Sequence, residues 1–525
     1  MTLVAPVAAD GAALSEDNHS PAPRSRWLLI AAVAGAGFIA MYLVIALVRL
    51  RYPYELEWIE GGMVDHVARI RGGHSLYAAP SLGFTADIYT PLYFLLSAAV
   101  SVVTGLGFFP LRLVSVLASI ALFGALAKLT MADTEDRVSG LLAAGLFAAC
   151  FRIGGAWLDT ARVDTLCLAL LFWGMVVARQ ARTARNGVVA GLLISLAFLA
   201  KQVALFPAVA IVVFFLAARR GRAVTGSYAL TALVGIGGST LVANAISHGW
   251  YNFYVFELPA RHEIASENYV DFFTHDLIRP LPVVLLLVVT AFLALRRRMD
   301  GLLFHAIVGG AVLFAAYSAR LHTGGYDNVL LPIYAELAVL AAIGIHHLLR
   351  SDARRWIVTC AGVLVLAQFA LLFYNPVDQL PTAADRRAGE AMMTGLRALP
   401  KPAYLPGHPW YLVEAGQQSS AQGAAIEDVF RGDHGGSGPA LARELWDSVS
   451  SRHWAAIVVD SGTGFSYLPD NLCRYYEPVG TLDPSGATVL PLTGTKTGPK
   501  TVWEPRPDEG DDCHGIDFWT VGPNG

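Results

Sequence analysis

Charge is scarce in this chain. Asp, Glu, Lys and Arg make up 15% of 525 residues, whereas 55% are hydrophobic. That balance reads as a polytopic α-helical membrane protein before any residue is placed. The net charge of −3 says nothing about nucleic acid, but no basic run reads as a phosphate-backbone groove, so no nucleic-acid partner is expected. Residues 1–26 lack the basic n-region of a secretory signal and read as a disordered cytoplasmic tail ahead of an uncleaved span. Cysteine is sparse too: there are five, with no Cys/His spacing of a zinc site. Cys150, Cys167 and Cys360 fall in apolar segments and read as small core residues. Cys473 and Cys513 fall in a polar region and could pair in an oxidising compartment.

Apolar runs cover 27–49, 91–105, 108–129, 138–157, 163–179, 187–200, 202–218, 226–247, 280–295, 302–319, 328–349 and 356–374. Basic clusters at Arg24/Arg26, Lys128/Arg137, 179–185, 219–222, 296–298 and 350–355 can all be cytoplasmic only if one early run does not cross. The run at 91–105 is the shortest early one and follows Tyr89-Thr90-Pro91, so it reads as an interfacial helix. The expectation is then about eleven spans, an N-terminus inside and a C-terminus outside. The alternative is one long helix through Lys201, with 91–105 crossing. Residues 376–525 read as a separate, small extracytoplasmic α/β domain: amphipathic helices at 385–399 and 439–451, a buried strand at 455–459, and an irregular last thirty residues.

The external loops of this topology collect the unusual polar residues. Glu55, Glu57 and Glu60 follow the first span, and carboxylates beside hydrocarbon are costly to keep. Glu60, just before Gly61-Gly62, suits a general base to which substrate can come close. Glu57 is one helical turn earlier, and Glu55 reads as solvated. Asp159, Arg162 and Asp164 sit at the mouth of two spans; Arg162 could grip a phosphate or simply pin the loop. Lys201, flanked by apolar residues, either snorkels or binds an anionic head group. Arg320 and His322, with Gly324, Gly325 and Asn328, form a compact turn that could offer N–H groups to an anion or be an ordinary loop.

With these residues in order, the chain over about 27–375 resembles the GT-C class of integral-membrane glycosyltransferases, the group of protein O-mannosyltransferases and bacterial aminoarabinose transferases. The resemblance runs through Glu60-Gly61-Gly62, Arg71 to Tyr77, Tyr89-Thr90-Pro91-Leu92-Tyr93, Arg162-Val163-Asp164, Leu199-Ala200-Lys201-Gln202, and Arg320 through Pro332. It departs where the class commonly has Asp-Glu and this chain has Glu60-Gly61. The resemblance implies an inverting transferase that moves a sugar from a polyprenyl-phosphate donor to a hydroxyl of a cell-envelope glycan, lipid or protein at the outer face of the cytoplasmic membrane. Glu60 would be the base, with Glu57 in reserve and Asp164 as second acid. Arg162, Lys201, Arg320 and His322 would hold the donor phosphate, with Gly61, Tyr89, Gly324, Gly325 and Asn328 beside the substrate. Metal need differs within the class, so a divalent ion stays open. Two other readings remain: a lipid or glycan flippase, disfavoured because the intramembrane charges lie on one face, and a non-catalytic scaffold presenting the C-terminal domain.

Overall fold

The computed structural model describes residues 26–350, 354–461, 467–469, 471–511, 513 and 519–521. The expected disordered tail, apart from Arg26, lies outside them, as do Arg24 of the first basic cluster and residues 351–353 of the last.

The fold is mostly helical. Among the described residues, five helices are long and apolar enough to cross a membrane, or up to seven if each of two bent pairs counts as one span; this compares with the eleven read from apolar runs. Shorter apolar helices account for part of the difference. Leu92–Thr104 has 13 residues and is about 20 Å long at 1.5 Å per residue, against about 30 Å of hydrocarbon. Lys201 is extended (φ −157°, ψ 130°), which ends helix Ala184–Ala200 and separates it from Leu205–Ala217. The single long helix through Lys201 is therefore not formed.

At one end of the bundle the basic loops close on acids: Arg179, Arg182 and Arg220 all reach Asp300, at 3.2, 3.2 and 2.8 Å. At the other end the C-terminal part folds over the helix mouths. Its four-stranded sheet has the order β1 (Ala403–Tyr404), β2 (Ala456–Ser461), β5 (Gly498–Pro505), β4 (Tyr476–Thr481). Strands β1 and β2 are parallel, and β5 is antiparallel to both of its neighbours. β3 (Tyr467–Pro469) and β6 (Trp519–Val521) form a separate parallel pair. Helices Ala383–Ala398 and Ser437–Ser450 lie where the amphipathic patterns put them, the first opened by a Thr382/Asp385 capping box. The last thirty residues are not uniformly irregular: β5, with Thr501, Val502 and Trp503, takes a central place with partners on both edges.

Two hydrophobic cores result. One joins the helices; the other joins the first loop (Tyr54, Leu56, Trp58) to the C-terminal part (Trp410, Tyr411, Ile457). Cys473 and Cys513 are disulfide-bonded. Cys150 and Cys167 are buried, but Cys360 is exposed. It lies on helix Arg355–Leu371, whose outward face is apolar because it turns away from the bundle.

Candidate active site

The first loop does not leave its glutamates in solvent. Glu60 opens helix Glu60–Arg71 and is fully buried. Its Oε1 accepts from Arg112 Nε (3.0 Å) and the Ala161 amide (2.6 Å), and its Oε2 from Arg112 Nη2 (2.5 Å) and the Leu56 amide (2.7 Å). Arg112 spends its remaining donors on the carbonyls of Arg49, Tyr52 and Tyr54. Burial pushes the Glu60 carboxyl up; the Arg112 charge and these hydrogen bonds outweigh it and hold the group below the usual carboxylate range. Every lone pair is occupied, so Glu60 ties the loop to the start of helix Phe108–Thr134.

Glu55, read above as solvated, is 2% exposed. It accepts from the Gly61 amide and pairs with His408 of the C-terminal part, whose other ring nitrogen stands 3.7 Å from Asp460. The bare glycines serve the same docking. A Cβ on Gly61 would collide first with the Glu55 carboxylate and then stand 3.2 Å from Trp410 Cβ, and one on Gly62 would lie 2.7 Å from Gln422 Cγ. Here Gly62 makes room for Gln422 of the C-terminal part, and Gly61 for both Glu55 and Trp410.

Glu57 accepts from the Ile59 amide and lies 3.6 Å from Arg162. Burial raises its carboxyl to about 8, with Arg162 opposing and Glu60 adding to the rise. Arg162 donates to the Tyr89 hydroxyl at 2.8 Å and faces Asp164 at 3.9 Å. Asp164 Oδ1 accepts from Lys201 Nζ (2.6 Å) and Asn328 Nδ2 (3.0 Å). Asp159 instead pairs with Arg49 at 3.2 Å, so within that loop Asp159 pins and Arg162 remains at the site.

Above this chain of groups lies a cavity of about 350 Å³. Of the residues singled out in the sequence, Tyr89, Arg162, Lys201, His322, Gly324, Gly325 and Asn328 line it; Glu57, Glu60, Gly61 and Arg320 do not. Asp164 lines a smaller void that shares Lys201 and Asn328 with it. Arg320 is held by Asp276 (2.8 Å) and the Gly325 carbonyl (2.5 Å), which shapes the turn. Trp58 and Ile59 form the wall in front of the acids. The roof comes from helix Gly423–Gly432, through Ala424, Glu427, Asp428 and Arg431. None of these four was found in the sequence. The Glu427–Arg431 spacing marks a helix-face ion pair, which does form, but nothing local ties it to a distant cavity. Among the described residues, no group of three or more His, Cys, Asp or Glu could hold a metal ion.

Below Leu205 and Phe206, which line the cavity, runs an apolar groove made by those two residues with Val209, Val213, Ile307, Ala311 and Phe314. A charged chamber thus opens directly onto a strip suited to a lipid chain.

Comparison with known proteins agrees with this anatomy. Residues 89–243 match the family model described as dolichyl-phosphate-mannose-protein mannosyltransferase. The fold is similar to crystal structures of ArnT from Cupriavidus metallidurans. For the apo state the TM-score is 0.51 at 15% identity, over 72% of this chain and 84% of that one. For the form bound to undecaprenyl phosphate it is 0.57 at 13% identity, over 89% and 97%. No curated protein sequence matches. Family match and fold agree on one class, a GT-C membrane glycosyltransferase.

Proposed function

We propose that the protein is an inverting glycosyltransferase that moves a sugar from a polyprenyl-phosphate donor to a hydroxyl acceptor at the outer face of the cytoplasmic membrane. In this reading the N-terminus is cytoplasmic, residues 27–375 form the membrane domain and residues 376–525 an extracytoplasmic domain. The observation that carries it is the cavity itself: cationic side chains stand at the head of an apolar groove, the geometry a lipid phosphate needs. The resemblance to a protein bound to undecaprenyl phosphate supports the same donor class. The acceptor belongs to the envelope, as a glycan, lipid or protein.

The donor's isoprenoid chain lies along Phe206, Val209 and Phe314, and its phosphate meets Lys201, Arg162 and His322. Lys201 is drawn to Asp164 in the free protein and is 14% exposed, so it can turn to an incoming anion while Asn328 keeps its bond to Asp164. As the anomeric C–O bond breaks, charge builds on the phosphate oxygen, where Lys201 and Arg162 stabilise it. Arg320 acts at one remove by fixing the turn that carries His322.

The test is lipid and glycan profiling by mass spectrometry of cells making wild-type protein, Lys201→Ala or Arg162→Ala, with amounts of protein matched. Each variant should accumulate one lipid-linked sugar and lose the decoration it feeds, and purified Lys201→Ala should bind undecaprenyl phosphate at least about tenfold more weakly. If deleting the protein alters neither a glycan nor a lipid-linked sugar, the reading fails.

A further inference from the structure

The carboxylates first expected to take the acceptor's proton are unsuited to it where they stand. Glu60 has no free lone pair, and Glu57 lies behind the Trp58–Ile59 wall. Asp164 is engaged by Lys201 and Asn328, and Glu427, on the roof, is paired with Arg431. Asp428 differs from all of these. It lines the cavity, its side chain is 22% exposed, and among the described residues no cation lies within hydrogen-bond distance of its carboxylate. Its neighbour is His262, whose Nε2 is 3.8 Å from Asp428 Oδ1 and 3.2 Å from the Asp428 carbonyl. Gly324 leaves room for Arg431 of the roof helix: a Cβ there would stand 2.8 Å from Arg431 Nη1.

We propose that Asp428, from the C-terminal domain, is the general base of the transfer. This rests on the transferase reading above. In an inverting displacement the nucleophile enters opposite the leaving group, so its base belongs across the cavity from Lys201, although the Arg162 charge also reaches Asp428. Lys201 and Asn328 are on the floor, at the ends of membrane helices; Asp428 is on the roof. The acceptor oxygen bonds to the anomeric carbon as the bond from that carbon to the phosphate oxygen breaks. The electron pair leaves with the phosphate, and the hydroxyl proton passes to the Asp428 carboxylate and then to bulk water.

The surroundings give Asp428 a suitable proton affinity. Burial, and then the charge of Asp87, raise its carboxyl to about 8, with Arg162 opposing. Burial holds His262 down at about 4, so it faces Asp428 as a neutral ring. Tyr89 from the first loop, His322 and Tyr326 from the turn, and Glu427 and Arg431 from its own helix are the other titratable or charged groups around it. A base of this strength is ionised in a minor fraction at neutral pH and fully ionised above about 9.

The test uses membranes from cells making the full chain, whose own lipid-linked sugars serve as donor and are followed by mass spectrometry. Binding of undecaprenyl phosphate to the purified protein is read from tryptophan fluorescence. Wild-type donor consumption should rise about tenfold per pH unit below pH 8 and level off above it. Asp428→Asn should slow consumption at least about 100-fold while binding undecaprenyl phosphate within about threefold of wild type, and Asp428→Glu should recover most of the rate. Unchanged consumption by Asp428→Asn, or a flat wild-type profile between pH 6 and 9, overturns the assignment. So does loss of undecaprenyl phosphate binding in that variant. If Asp428→Asn does not fold, Asp428→Ala decides: donor consumption at the wild-type rate refutes the base. If wild-type membranes consume no lipid-linked sugar, the transferase reading itself falls; if they do and Asp428→Asn matches them, only the base is lost.

Discussion

Glu60 and Arg112 are both without exposed surface, and seven hydrogen bonds leave them fully engaged with each other and the backbone around them. Breaking such a pair from one side strands a buried charge, which costs about 3–5 kcal/mol. Glu60→Gln should therefore melt well below wild type in detergent, and Glu60→Met with Arg112→Met should recover much of the loss. The pH dependence has a definite sign. Because the folded Glu60 carboxyl lies below its unfolded value of about 4.3, its contribution is complete above that value and is lost as pH falls through the folded one. Thermal melts across pH 3–7 check this; a midpoint that rises toward pH 3 contradicts it. Lys201 and Arg112 are both charges set in apolar runs, and that signal was legible in the sequence. For Lys201 the signal led to the cavity. Arg112, inside 108–129, was passed over, because its meaning depends on a glutamate 52 residues away.

At the scale of elements, the roof helix Gly423–Gly432 couples the two ends of the chain. Gly324 has φ +90°, a conformation that strains any residue with a side chain, and Arg431 fills the space above it. Gly324→Ala should cost about 1–2 kcal/mol from the backbone alone, with little more from Arg431, whose guanidinium is the flexible end of a side chain and can move aside. Adding Arg431→Ala should restore less than half of the lost stability, since only the steric part is relieved; melts on the single and double variants measure this. Helices Ala383–Ala398 and Ser437–Ser450 and strand β2 were legible because amphipathic period and apolar run are local signals. The roof helix was not. Its buried residues are mostly small (Gly423, Ala424, Ala425), and its polar face is defined by a cavity built from distant segments.

For the whole molecule, the order of acids and cations along the chain was enough to suggest the class, whereas the division of labour among the glutamates required the packed C-terminal part. The proposed orientation predicts that alkaline phosphatase fused after residue 525 is active, while a fluorescent protein that matures only in the cytoplasm stays dark there. It also predicts that Cys473 and Cys513 resist alkylation until a reductant is added, as an oxidising compartment requires; free thiols at both positions in intact cells would reverse the orientation. One further consequence follows from the roof being made of residues 423–432. The chamber cannot close while the polypeptide is still being made, because its roof is translated some hundred residues after the Gly324–Asn328 turn. A nascent chain therefore carries the apolar groove but no finished chamber, and a chain that ends before Arg431 lacks the roof above that groove.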